Sequence, residues 1–302
     1  MTAKIVSPTE SDSRHATWGL IALFCVLWSS AFAAAKVALR DCPPLTLLTI
    51  RFFVAGALLL AWAAVTRQLP RMRLRELLQL AMLGILNSGI YLGLSWCGMK
   101  TVSSAFAAML ISTNPLLTGV LAGPVLGERM DARKLIGLCL GLAGVVIVLR
   151  SRLSDLGGGM HEDVRGTLLV AGGLLSLVAG TLAFKRLKPT APIWTATGVQ
   201  SVAAGLAVLP FAWHEESLAQ LHLTRSLILS MSYSIVAVSI GGYALWFTIL
   251  SRNTATSASA LHFLMPPLGL FFGWLVLNEA VSWPDMLGIV PIAIGIWLVT
   301  RG

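Results

Sequence analysis

Apolar residues along this chain come in long unbroken runs, not in the alternation of a strand or the stripe of an amphipathic helix. Ten runs are separated by short polar breaks: 17–39, 45–66, 74–97, 103–126, 133–149, 165–187, 193–213, 226–250, 255–277 and 283–299. Crossing about 30 Å of hydrocarbon takes roughly 20 residues of helix, so the pattern predicts ten transmembrane α-helices. All thirteen acidic residues lie between runs or at their ends. The stretch 103–128 comes back as 254–279. A step of 151 residues carries Pro115 onto Pro266, Glu128 onto Glu279, Leu94 onto Leu245, Gly137 onto Gly288 and Gly144 onto Gly295. One register for so many matches marks an internal repeat of five helices.

Charge adds orientation. With ten spans, one set of alternate loops and ends holds fourteen Lys and Arg, among them Arg71, Arg73, Arg75, Lys185, Arg186 and Lys188, against six on the other. Cytoplasmic loops collect basic residues, which predicts both termini in the cytoplasm and a home in the inner (plasma) membrane. Five spans per repeat is an odd number, so the second repeat is inverted relative to the first. The expected fold is therefore all-α integral membrane, ten transmembrane helices as two inverted five-helix repeats.

Composition agrees. The chain is 56% hydrophobic and 12% charged, whereas soluble domains run at about 25% charged. The net charge of +9 follows the loops and calls for no nucleic acid. Cys25, Cys42, Cys97 and Cys139 share no metal-ligand or redox spacing and read as small core residues. His161, Glu162 and Asp163, like His214, Glu215 and Glu216, are adjacent loop residues and make poor ligand sets, so neither metal nor cofactor is expected.

Three prolines carry the strongest functional signal. Pro115, Pro266 and Pro267 each lack an N–H and crowd the carbonyl four residues back, those of Ile111, His262 and Phe263. Lipid does not satisfy a freed carbonyl, and paired breaks at matching places in two halves predict a cavity beside them. Candidate cavity residues are Trp28 and Ser30 on the first span, Asn87, Tyr91, Ser95 and Trp96 on the third, and Tyr243 and Trp246 on the eighth. Ser112, Thr113 and Asn114 stand before one break, His262 and Met265 before the other. Asn87, Tyr91 and Ser95 recur at four-residue steps, which places them on one helical face. Aromatic faces with a few polar tips suit a small amphipathic ligand.

Two basic residues lie well inside spans. Lys36 either meets a substrate carboxylate or snorkels to the interface; Arg51 is expected in a structural role, paired with Glu279. Glu128 and Glu279 close helices where the dipole disfavours negative charge, so Glu128 is expected to pair with Arg129, Arg133 or Lys134 and to latch helix ends. His262 is the intramembrane side chain that titrates nearest neutrality. Either transport is downhill or His262 takes part in coupling, and downhill is preferred. Gly137, Gly141 and Gly144 on the fifth span, echoed by Gly288 and Gly295 on the tenth, let helices approach closely. They meet within a monomer or across a weak homodimer.

The run WSSAFAAAKVAL at 28–39, followed by Pro43, Pro44, Arg51, Phe52, Phe53 and Ala55, resembles the opening of an EamA-type domain. The stretch from Ala105 through Asn114, Pro115 and Glu128 to Gly137 and Gly144 resembles its close. The chain is similar to the EamA family of the drug/metabolite transporter superfamily over essentially its whole length, as repeats at 17–150 and 165–300 joined by an extracytoplasmic linker at 151–164. The resemblance implies a ten-helix exporter with a central cavity walled by spans one, three, four, six, eight and nine. Members move amino acids, other small metabolites or drugs, and some export aromatic amino acids. The second copy departs from the pattern, with Lys185 and Arg186 near the position of Lys36 and no clear equivalent of Arg51. The expectation is export of small amphipathic metabolites, foremost neutral or aromatic amino acids, downhill and by alternating access. Export of other metabolites or drugs is the alternative, as is an integral-membrane lipid-processing enzyme, although no paired carboxylates or His cluster support one. A channel lacks its charged ring or carbonyl filter.

Overall fold

The computed structural model describes residues 10–102, 107, 110–155, 163–277 and 283–300. Among these the chain is helical throughout. Its ten spans are α1 Glu10–Ala38, α2 Pro44–Val65, α3 Leu74–Gly98, α4 Asn114–Leu126, α5 Ala132–Asp155, α6 Val164–Leu187, α7 Ile193–Glu215, α8 Arg225–Arg252, α9 in the two pieces Ala255–Ala260 and Met265–Leu277, and α10 Trp283–Thr300. Among the described residues α2, α3, α6, α7 and α8 are each long and apolar enough to cross a membrane. Exposed Leu58, Trp62, Leu175 and Leu206 show that the outer surface is apolar, as a bilayer solvent requires.

Local signals set the boundaries. Pro44 begins α2, where a missing N–H costs nothing. Side-chain oxygens cap three other starts: Asp163 accepts from Gly166 N at 2.9 Å, Thr224 from Leu227 N at 3.1 Å and Thr254 from Ser257 N at 3.1 Å. Each satisfies a backbone donor that the helix leaves orphaned.

Two pairs of equivalent helices, α5 with α10 and α2 with α7, pack on each other, the first antiparallel. α5 lies along α10, and the small-residue faces meet crosswise: a Cβ on Gly144 would stand 2.6 Å from the Gly288 carbonyl oxygen, and one on Gly137 2.8 Å from that of Gly295. Gly137 corresponds to Gly288 and Gly144 to Gly295 in the repeat, so the crossed pairing is what a twofold axis between inverted copies produces. These faces are thus consumed inside one chain. α2 meets α7 in the same way, with Gly56 against Val202 and Gly205 against Phe53. α6 gives α3 a track of glycines seven residues apart: Gly166 faces Thr101 and Val102, Gly173 faces Ser95, and Gly180 faces the Asn87 amide.

Both predicted breaks occur. α4 starts afresh at Asn114 after a turn at Ser112–Thr113, with Pro115 in its first turn. In α9 a tight 3-10 stretch, Leu261–Leu264, separates the two pieces, and Pro266 and Pro267 open the second. Side chains bond to the backbone beside each break: Thr113 Oγ1 donates to Leu110 O at 2.7 Å, and His262 Nδ1 lies 3.1 Å from Ser259 O. Since a carbonyl only accepts, Nδ1 carries the proton. One cysteine departs from the core reading: Cys139 is exposed on the outer surface, while Cys25 and Cys42 are buried.

Candidate functional site

Two turns of wider π-helix, invisible in the apolar pattern, shape the centre of the bundle. Ile85–Ile90 in α3 and Ser234–Gly242 in α8 fall at matching positions of the two repeats. Each π stretch closes i→i+5 bonds and so shifts the faces of the helix beyond it. Tyr91 and Tyr243 follow the two stretches directly and stand in the wall of one cavity.

That cavity is lined by Trp28, Ala31 and Ala35 of α1, Arg51 of α2, Tyr91, Leu92 and Trp96 of α3, and Val238 and Tyr243 of α8. Its free volume is about 40 Å³, far below the roughly 300–1,000 Å³ of ligand pockets. The rings themselves fill the space: Trp28 and Tyr243 have centroids 4.9 Å apart at 60°. Arg51 is buried and its Nε donates to Ser239 Oγ at 2.6 Å. The Tyr243 hydroxyl approaches Ser88 but closes no hydrogen bond. A larger hollow of about 760 Å³ lies between Leu209, Pro210, Trp213 and His214. It is a wide opening at one end of α7, without converging polar groups.

The structure brings together Trp28, Tyr91, Trp96 and Tyr243 from the sequence candidates and redirects others. Asn87 and Ser95 turn onto Gly180 and Gly173 of α6, away from the cavity wall. Tyr91 and Ser95 share the regular helical piece Tyr91–Gly98, so what divides the three is the neighbour each side chain meets: α6 for Asn87 and Ser95, the cavity for Tyr91. Ser30 bonds the Tyr233 hydroxyl at 2.6 Å, and Ser29 reaches the Met265 sulfur at 3.6 Å; both tie α1 to its neighbours. Trp246 and His262 form a layer beneath the cavity, their rings perpendicular at 5.0 Å, with Phe24 and Trp28 around them. Thr113 and Asn114 serve the first break, where Asn114 Oδ1 accepts from Thr118 at 3.1 Å. Ser112 is buried there too. The side chains of Lys36 and Pro266, and Glu279 altogether, lie outside the described residues.

The wall was expected from spans one, three, four, six, eight and nine, with both breaks opening on it; among the described residues the cavity is lined by α1, α2, α3 and α8, and 103–106, 108 and 109, ahead of the first break, lie outside them. The second break reaches it only through Trp246 and Trp28, because rings and not backbone fill the space between. Glu128 was to pair with a nearby cation. Its carboxylate instead accepts from Ala255 N at 2.7 Å and Thr256 Oγ1 at 2.9 Å, where the N-terminal dipole of α9 supplies the positive end. Glu128 thus latches two helix ends through the backbone and the Thr256 hydroxyl at the start of α9.

Glu216, passed over in the sequence, does the same at the other end of the bundle. It accepts from Leu45 N at 3.0 Å and Thr46 N at 2.7 Å at the start of α2, and pairs with Lys100 at 3.6 Å. Asp41 Oδ2 accepts from Thr224 Oγ1 at 2.5 Å and Ser226 Oγ at 3.1 Å. At the Glu128 end, Lys185 Nζ donates to Asn253 O at 2.6 Å and Arg186 to Val125 O at 3.0 Å. The bundle is therefore tied at both ends around a constricted centre.

Against known proteins, the model of the EamA-like transporter family matches residues 16–150 and 164–301. The chain belongs to this EamA-like transporter family. It is a multi-pass membrane transporter and not an enzyme. An "Uncharacterized transporter YvbV" of Bacillus subtilis is 28% identical over 93% of this chain and 90% of its own length. A "Probable amino-acid metabolite efflux pump" of Salmonella typhimurium is 26% identical over 94% of each chain, and one of Escherichia coli 25% identical over 94% and 95%. A solved crystal structure superposes with a TM-score of 0.80, covering 95% of this chain and 97% of that one, at 20% identity. At that identity the likeness speaks for the fold alone.

Proposed function

We propose that this EamA-family transporter exports small amphipathic metabolites, foremost neutral or aromatic amino acids, by exposing its central cavity alternately to the two sides of the inner membrane. The observation that carries this reading is the cavity itself. It is enclosed by helices of both repeats, walled by four aromatic side chains and holds one buried cation. Relatives named as amino-acid metabolite efflux pumps, at 25–26% identity, support the substrate class.

The basic loops put the Glu128 end and both termini in the cytoplasm. From there, release of the Asp41 and Glu216 ties would open the cavity outward, while release of the Glu128 and Lys185 ties would open it inward. Rings closed over about 40 Å³ must part to admit a substrate, so the described state is the occluded one of that cycle. Transport is downhill, a reading supported by His262, the one intramembrane histidine, which is enclosed by Trp246, Trp28 and Phe24 and does not line the cavity.

Cells expressing the chain and preloaded with labelled phenylalanine or leucine should release label faster than cells without it, with saturation and with stimulation by unlabelled substrate outside. Equal release would sink the export reading. Accumulation in vesicles given only a pH difference would sink the downhill one.

A further inference from the structure

We propose that Arg51 is the carboxylate-binding group of this cavity, so that the transported molecule carries a single carboxylate on an apolar or aromatic body. The inference rests on the transport reading above and names the chemistry that its site selects.

Arg51 is 5% exposed, and among the described residues its hydrogen bonding is the single contact from Nε to Ser239. A guanidinium has five N–H donors, so four remain. A buried cation without an anionic partner is expensive in a protein core and within a membrane, and its persistence here needs an acceptor that comes and goes. The cavity supplies the place. Arg51 shares its wall with Trp28, Tyr91, Trp96 and Tyr243, and no carboxylate of the described residues lines it. Tyr243 adds a second group, a buried hydroxyl with Ser88 beside it that closes no hydrogen bond among the described residues.

What is missing is an acceptor with two oxygens. A carboxylate matches the guanidinium fork in the bidentate manner and has lone pairs left for the Tyr243 hydroxyl. Its one negative charge balances one cation, whereas a doubly charged phosphate would keep a buried surplus. The remaining wall is ring faces, which take an aromatic or aliphatic body and, for a zwitterion, attract its ammonium. A ligand that is only cationic meets Arg51 as a like charge and is excluded.

The probes are L-phenylalanine, 3-phenylpropionate, L-phenylalaninamide and phenethylamine, titrated into detergent-purified protein and followed by tryptophan fluorescence. Both carboxylates should bind at least about ten-fold tighter than the amide and the amine, the range of a hydrogen bond to a charged group. Arg51→Met should abolish that preference and Arg51→Lys keep it with weaker binding. The comparison of ligands on the unmodified protein decides the matter even where a variant fails to fold. Amide and amine binding as tightly as the acids, or no binding of either acid, overturns the inference. Counterflow of labelled phenylalanine into vesicles separates it from the transport reading. Carboxylate-selective binding without counterflow leaves Arg51 its role and removes transport; counterflow that the amide competes as well as phenylalanine does the reverse.

Discussion

A carboxylate at a helix C-terminus sits at the wrong end of its own dipole, and two residues here escape that cost by serving the N-terminus of another helix. Glu216 follows α7 and accepts from two amides of α2; Glu128 follows α4 and does the same for α9. The Glu216 side chain is 2% exposed, so little solvent screens the contact. Glu216→Gln keeps the shape and one acceptor oxygen but loses the charge that favours the dipole. Its cost should be near 1 kcal/mol, the size of a helix cap, read as a drop of a few degrees in Tm. Glu128→Gln should cost a similar amount, and the double variant should sum the two, because the sites lie at opposite ends of the bundle. A synergistic loss would mean that the ends are coupled through the centre. Glu128 was visible in the chain as a charge closing an apolar run, while Glu216 read as one of several adjacent loop residues. The partners of neither were visible, because an amide at a helix start looks like any other residue until two helix ends are brought together.

Between helices, close approach depends on absent side chains. α5 and α10 meet where Gly144 faces Gly288 and Gly137 faces Gly295, each leaving under 3 Å for a Cβ against backbone. Backbone cannot swing aside as a flexible side chain does. Gly144→Leu should therefore cost on the order of 3 kcal/mol, with loss of a monodisperse species on gel filtration, while a leucine at Gly19, which has open space around it, should be tolerated. Capping gives a pH-dependent counterpart. The Gly166 N–H, and after it the Thr101 hydroxyl, holds the Asp163 carboxyl below the ordinary carboxylate range. A depressed folded-state pKa adds stability above the unfolded value near 3.9, and that stability is lost as pH falls through the folded value. Asp163→Asn should lower Tm at pH 7 and flatten the decline of Tm below about pH 4; an unchanged decline would remove Asp163 from the acid transition. The glycine faces of the fifth and tenth spans were legible as motifs, and their choice of each other was one of two open outcomes. The heptad track Gly166, Gly173 and Gly180 was equally present in the sequence, but its meaning appears only once α3 lies along it.

The whole molecule is closed at both ends, and transport by rocking requires one set of ties to open while the other holds. Asp41 binds the turn between α1 and α2 to the start of α8 through Thr224 and Ser226, across the Asp41 end of the bundle. Asp41→Cys joined to Ser226→Cys by a short bifunctional thiol reagent should block efflux, and cleavage of the link should restore it. Full activity in the linked protein would show that this end stays shut throughout the cycle. The matched π stretches of α3 and α8 stand midway between the two sets of ties, where irregular backbone can absorb the bend.

Local chemistry along the chain determined much of this protein. Runs of about twenty apolar residues dictate membrane helices, the 151-residue register dictates two copies, and the odd span count inverts them. Pro115 and the Pro266–Pro267 step, at matching places in the two copies, mark the restarts of their helices, whereas Pro124, Pro210 and Pro291 lie inside continuous ones. These consequences need only neighbours in sequence or the contrast between lipid and water. Which aromatic rings share a wall, and that Arg51 stands among them, only the tertiary structure decided. Asn87 and Ser95 turn onto the glycines of α6 while Tyr91 stands in the cavity wall, and the wider turns of the π stretches before the two tyrosines are not written in an apolar run. Where a side chain points depends on every turn beneath it and on which helix lies opposite, and in α3 and α8 some of those turns are π-helical.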